Sequence, residues 1–338
     1  MKKNIIALAI ASAIAAPAAM AGAPTVYGQG YMSIDNLTDK GTSVNSHSSR
    51  IGVKGASDLG GGLKAIYKME FGLNMNDTAG GQLSGRNAYI GLAGGFGAVL
   101  LGRHDTPLKM IQGKDLFNDA TKTGYGDNKP MAGGLGMLGA AGEIRAGNAV
   151  AYVFPAMNGV KLVVAGVSAK ANTGGFDKLA TTAKDINITN AISAGAMYGS
   201  KKKGLYLAAA YNTWDKPITG GSSATETRLV AQYSAGGLMG NVMYQNFDKS
   251  VGGKDGSNIQ LNLGYKMGKL MPKFKYSTVN YKDNALKDGS AMAVGIDYAL
   301  GKKTTGKVDF VSTDKNLAGK GTPDKALSLV SVGILHKF

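Results

Sequence analysis

Apolar and polar residues alternate along most of this chain. In the run from Leu63 to Leu73, the positions Leu63, Ala65, Tyr67, Met69, Phe71 and Leu73 are apolar or aromatic, with Lys64, Ile66, Lys68, Glu70 and Gly72 between them. A period of two belongs to a strand, whereas a helix repeats near 3.6. The pattern returns at Leu205–Asn212, Ile259–Met267, Met292–Leu300 and Val330–Phe338. About sixteen such strands are predicted, starting near residues 25, 48, 62, 86, 97, 148, 159, 189, 203, 224, 237, 256, 270, 289, 303 and 325. An even count with one apolar face on nearly every strand fits a closed antiparallel barrel in a membrane. A soluble sandwich would use fewer strands and one apolar face per sheet. At this size the barrel keeps an aqueous lumen, where eight strands would fill it with side chains.

The connections alternate too. Short turns stand at Asp58–Gly62, Gly94–Gly97, Ala235–Gly237 and Gly268–Lys269. Longer polar loops are expected near 37–47, 74–85, 171–188, 215–224, 248–256, 282–289 and 314–324. Tight turns on one rim and long loops on the other are the habit of outer-membrane barrels. Thr106 to Gly147 exceeds an ordinary loop, and connections beyond about 12–15 residues are usually functional or disordered. Leu108, Met110, Ile111, Leu116, Phe117, Met131, Leu135, Met137 and Leu138 give this segment apolar anchors.

The N-terminus changes the compartment. Lys2 and Lys3 precede an apolar run from Ile5 to Ile14, and Ala19-Met20-Ala21 supplies small residues. This is a secretory signal peptide, so the chain divides into 1–21, removed after Ala21 (or Ala23), and a barrel over 22–338. No stretch approaches the roughly 18 apolar residues of a spanning helix. Glycine stands at 51 of 338 with only 8 prolines, which suits many tight turns. Cysteine is absent, so a disulfide framework, a thiol nucleophile and a Cys-based zinc site are excluded. The net charge is +16, and residues 1–21 hold two lysines and no acid, so most of the excess stays with the mature chain. A basic excess points to anionic partners. For an exported chain these are lipid headgroups or passing anions rather than nucleic acid.

Catalysis finds little support. The histidines are His47, His104 and His336. His104 beside Asp105 is the one base–carboxylate neighbour, and acyl transfer would also need an activated nucleophile. No metal-ligand spacing and no cofactor motif is present, so neither is expected. The single tryptophan, Trp214, is expected at a membrane interface, where amphipathic rings settle.

Several segments resemble the Gram-negative general porins, a sixteen-stranded trimeric outer-membrane family. They are Val26-Tyr27-Gly28, Ser49–Gly55 with Asp58–Ala65, Arg86–Leu92, Phe96–Arg103, Arg145 with Asn148–Tyr152 and Pro155, and the terminal Phe338. The resemblance spans the chain after residue 21 and is densest up to about residue 167. It implies a third outer loop, here 106–147, folded into the lumen. It implies passive diffusion of small hydrophilic solutes and inorganic ions, a homotrimer, and contact with outer-membrane lipid and lipopolysaccharide. It also implies loop acids facing basic wall residues: Asp115 and Asp119 opposite Arg50, Arg86 and Arg145. The Gly-rich stretch Gly133–Gly139 departs from the family pattern, and Asp127 or Glu143 are the other acids available.

Strand parity adds Lys54, Lys64 and Lys68 to the basic lumen face, with Glu70 as its acid. Bases outnumber acids there, and low-dielectric walls focus their field. Anion preference is therefore expected. Arg103 shares parity with Val99 and Leu101, which points it outward. The alternative reading is a channel specific for phosphate, using Lys114, Lys122 or Lys129, or for an oligosaccharide.

Overall fold

The computed structural model describes residues 23–38, 41–77, 81–117, 144–168, 187–214, 223–250, 254–282, 288–314 and 326–338. The expected signal peptide lies outside these residues, as do Asp119, Lys122, Asp127, Lys129 and Glu143.

The strands run in chain order. The first nine are β1 (Thr25–Leu37), β2 (Gly41–Ser46), β3 (Arg50–Gly60), β4 (Leu63–Leu73), β5 (Leu83–Gly94), β6 (Gly97–Asp105), β7 (Arg145–Val153), β8 (Val160–Val167) and β9 (Ala191–Gly199). The rest are β10 (Gly204–Trp214), β11 (Ala224–Ala235), β12 (Leu238–Ser250), β13 (Lys254–Tyr265), β14 (Leu270–Tyr281), β15 (Gly289–Ala299), β16 (Thr304–Thr313) and β17 (Leu327–Lys337). All belong to one antiparallel sheet, and β1 closes it against β17 from Gln29↔Lys337 to Leu37↔Leu329.

Seventeen strands make a sixteen-position barrel because β2 and β3 share one place. The outer half of β1 pairs with β2, from Met32↔Ser46 to Leu37↔Gly41, and its inner half pairs with β3, from Thr25↔Lys54 to Gln29↔Arg50. The break between them is His47–Ser49, where Ser48 adopts φ 50°. This corrects two expected loops. Residues 41–46 are strand, because Val44 faces outward while Asn45 is buried inside. Likewise β12 and β13 extend into the expected 248–256 loop and leave only 251–253 between them.

Closure of the barrel is tight at Gly28. Its N–H donates to the Phe338 carbonyl, and the Phe338 N–H donates back to Gly28, both at 3.2 Å. A Cβ on Gly28 would run into the Phe338 ring and stand 2.6 Å from the Arg50 carbonyl oxygen. The terminal aromatic ring thus occupies the space that a side chain would need.

The alternation read from the sequence is the in–out alternation of the wall. On β10, Leu205, Leu207 and Tyr211 are exposed on the outer face, while Tyr206, Ala208, Ala210 and Asn212 are buried inside. The described strands pair in sequence around the sheet, and β1 on β17 closes it, as a lipid-facing backbone requires. Trp214 shares parity with Asn212. It is buried inside with Ile144, Ala146, Val167 and Ala224, not placed at a membrane interface.

Candidate functional site

The long third connection turns inward immediately after β6. Thr106 caps a one-turn helix, α1 (Pro107–Met110), by accepting the Lys109 N–H at 3.3 Å, and Pro107 sits where its missing N–H costs nothing. Beyond α1 the chain crosses the inner faces of β9 to β14. Leu108, Ile111, Leu116 and Phe117 are buried against that wall.

Wall side chains then hold the loop by its backbone. Arg228 Nη1 donates to the Leu108 carbonyl at 3.1 Å and the Tyr206 hydroxyl to that of Ile111 at 3.1 Å. Gln232 accepts the Lys114 N–H at 2.8 Å, and Asn241 donates to the Lys114 carbonyl at 2.8 Å. Lys273 donates to the Leu116 carbonyl at 3.4 Å, and Lys275 pairs with Asp115 at 3.2 Å.

The opposite wall carries the expected basic residues on β3, β4, β5 and β7. Arg50 donates to Gln29 at 3.2 Å and to the Ser48 carbonyl at 3.3 Å. Lys54 and Lys68 stand over the Tyr27 ring, 5.3 and 5.7 Å from its centroid. Glu70 is buried in this wall, where it accepts from Tyr27 at 2.8 Å and pairs with Arg86 at 2.6 Å and Lys68 at 3.3 Å. Arg145 pairs with Asp105 at 3.2 Å. Lys64 stands at the short-turn end of β4, in register with Asp58 and Ala93.

Arg86 reaches the lumen by a β-bulge. Met69 is paired with Ala88 but Phe71 with Gly85, so Arg86 and Asn87 together oppose Glu70. The extra residue re-aims the side chain. Arg86 and Asn87 therefore both turn inward, although neighbours in a regular strand face opposite ways.

Between loop and wall lie two cavities. One, of about 1150 Å³, is lined by Arg50, Arg86 and Arg145 from the wall, Lys109, Lys114 and Asp115 from the loop, and Lys201, Lys202, Lys203 and Lys266 from the short-turn rim. Asp115 is its only carboxylate among the described residues. The other, of about 560 Å³, shares Lys109, Arg145, Lys201 and Lys202 and adds Lys54 and Lys68, with Asp105 as its carboxylate.

Sequence reasoning did not foresee Lys109, Lys266 or the run Lys201-Lys202-Lys203. Lys109 lies on the loop and the lysine run on a rim turn, where strand parity gives no direction, while Lys266 falls on the polar positions of the Ile259–Met267 alternation. The lysine run itself was visible. Asp115 lines the same cavity as Arg50 and Arg86, but its ion pair is with Lys275 on the loop side of the lumen.

Other cations are neutralised inside the wall. Lys273 lies 2.7 Å from both Asp297 and Asp309, and Lys307 lies 2.7 Å from Asp297. Lysines in such a buried network add no net field to the pore.

His47 and His104 have partners other than those of a Ser–His–Asp relay. His47, expected in a loop, is buried at the β2–β3 break, with Ser33 at 2.6 Å and Asp35 at 3.1 Å on the same Nε2. A Ser–His–Asp relay needs the carboxylate on the other ring nitrogen. His104 meets the Asp105 backbone carbonyl at 3.0 Å rather than its carboxylate.

A family model described as Gram-negative porin matches residues 7–316. The chain is 28% identical to the major outer membrane protein P.IB of Neisseria sicca, over the whole of both chains. It is also 28% identical to a monosaccharide porin of a Halomonas species, covering 82% of this chain and 80% of that one. Among solved structures, the anion-selective porin from Comamonas acidovorans superposes with a TM-score of 0.73 at 23% identity, over 94% of this chain and 99% of that one. OmpT of Vibrio cholerae in its trimer form superposes with a TM-score of 0.65 at 18% identity, over 94% of this chain and 100% of that one.

Proposed function

The chain belongs to the Gram-negative porin family, and on that footing we propose that its lumen is an anion-preferring pore. It is an outer-membrane channel through which small hydrophilic solutes diffuse passively. The observation that carries the preference is the larger cavity. There, arginines and lysines from the barrel wall, the loop and the rim line one cavity with Asp115 as the lone described carboxylate. Charges lining a narrow aqueous path with low-dielectric walls raise the local concentration of the opposite ion.

Arg50, Arg86 and Arg145 supply the wall, Lys109 and Lys114 the loop, and Lys54 and Lys68 the adjoining chamber. Asp115 tempers the field, and Glu70 is largely cancelled by its own neighbours. The Comamonas porin of similar fold is described as anion-selective, which accords with this reading. The oligosaccharide alternative gains no platform from Trp214, which is packed among apolar side chains.

We also place three such barrels in a trimer, following the OmpT trimer of like fold. The exposed outer belt of Leu, Ile, Val and Tyr would meet lipid and lipopolysaccharide. Residues 1–21 would be removed on export. The deciding measurement is the reversal potential of the purified protein in a planar bilayer under a KCl gradient. Chloride preference is expected, and potassium preference would overturn the assignment.

A further inference from the structure

The smaller cavity has an unlike lining. Leu100 of β6, Ala151 and Val153 of β7, Val163 of β8 and Met197 of β9 line it, all inward-facing. So do Lys54 of β3, Lys68 of β4 and Lys109 of the loop, with Arg145 at the start of β7 and Lys202 in the turn after β9. Tyr27, Tyr89 and Tyr206 also line it, as does Asp105, which pairs with Arg145. A diffusion pore has no use for an apolar wall, because barrel lumens that pass water are polar. Leu108 and Ile111 of the loop pack in one cluster with these residues, which still line the chamber beside it.

We propose that this chamber binds amphipathic organic anions: a monocarboxylate carrying an aromatic or branched apolar body. The proposal rests on the anion-preferring reading and adds a substrate class to it. A cavity of about 560 Å³ has the size of small-molecule pockets, which are mostly apolar with a few placed polar groups. The body lies against Leu100, Val163 and Met197, where it displaces water from apolar surface. The carboxylate faces the lysines and Arg145. The two interactions are simultaneous because both sets of side chains line one chamber. A small hydrated anion gains only the second, and a neutral aromatic only the first.

The test uses the purified full-length protein in planar bilayers with symmetric KCl, titrating phenylacetate, acetate and 2-phenylethanol against single-channel current. Phenylacetate should block at roughly tenfold lower concentration than acetate, with 2-phenylethanol ineffective in that range. Met197→Gln and, independently, Val163→Thr should move phenylacetate block toward that of acetate. The wild-type series decides the matter even if one variant fails to assemble. Equal block by phenylacetate and acetate in a pore that prefers chloride would overturn the chamber and leave the anion reading standing. Block by 2-phenylethanol as strong as by phenylacetate would overturn it as well. A pore that prefers potassium in the KCl gradient would remove the premise and the proposal together.

Discussion

Glu70 lies buried on the lumen wall with Tyr27, Lys68 and Arg86 around its two carboxylate oxygens. The carboxylate cancels charge that would otherwise act on the pore, so neighbouring substitutions should move selectivity in opposite directions. Glu70→Gln should raise chloride preference, because Lys68 and Arg86 keep their charges. Arg86→Gln should lower it, both by removing a cation and by exposing the lumen to Glu70. The second change also leaves a buried carboxylate with one fewer partner, at a cost of about 3 kcal/mol. Reversal potentials and thermal unfolding of the two variants check both signs; shifts in the same direction would mean that Glu70 is not coupled to the pore. Lys114 gives a pH signature. Desolvation, followed by repulsion from Lys337 and Lys266 and only partly offset by Asp297, holds its ammonium below the ordinary lysine range. A base with a lowered pKa loses its charge first as pH rises. Chloride preference should therefore begin to fall before the pH range near 10.4 where ordinary lysines titrate. Lys114→Gln should remove that early limb and leave the later one, as reversal potentials across an alkaline pH series would show.

At the scale of elements, the inward loop is held mainly by its own carbonyls and N–H groups, through side chains that the barrel wall supplies. Arg228 is fully buried, with Nε and Nη2 on Gln245 and Nη1 on the Leu108 carbonyl. Arg228→Met should cost about 3 kcal/mol and loosen α1. Larger, noisier open-channel current and a lower unfolding temperature are expected; unchanged current would mean that Leu108 and Ile111 hold the loop by packing alone. These elements also show what the sequence could convey. Strands with an apolar outer face and a polar inner face, such as β4 and β13, were legible because the contrast between their faces is large. The inner faces of β8 and β9 carry Val163, Ala165 and Met197, so their alternation is blurred. Part of the reason is α1 packing on them, a tertiary fact without a local signature. The break at His47 and the bulge at Arg86 were hidden for a related reason: each shifts register by local geometry, and parity counting assumes none. Lys109 and Lys203 had no face to count, since they lie on a loop and a turn, whereas Lys266 ends the polar face of the Ile259–Met267 alternation.

Over the whole molecule, two populations stand out among the described cations. Lys273, Lys275 and Lys307 are committed to carboxylates or to the loop backbone. A second set lines the two cavities from the wall, the loop and the short-turn rim, and of these Lys68, Arg86 and Arg145 also pair with Glu70 or Asp105. Selectivity carried by the second population is a property of a distributed field rather than of one tight site, and salt separates the two cases. The Debye length is about 30 Å at 0.01 M and about 3 Å at 1 M. In dilute KCl every lining charge acts on an ion anywhere in the lumen, and in concentrated KCl only the nearest does. The chloride-to-potassium permeability ratio should therefore fall continuously between those limits. Single neutralisations at Arg50, Lys109 and Lys202 should each reduce the dilute-salt ratio by a modest and nearly additive amount. A ratio that ignores salt, or one variant that abolishes it alone, would place selectivity in a single desolvated site. The remaining lysines would then be solvated surface, and the field of the whole lumen would have no part in choosing the ion.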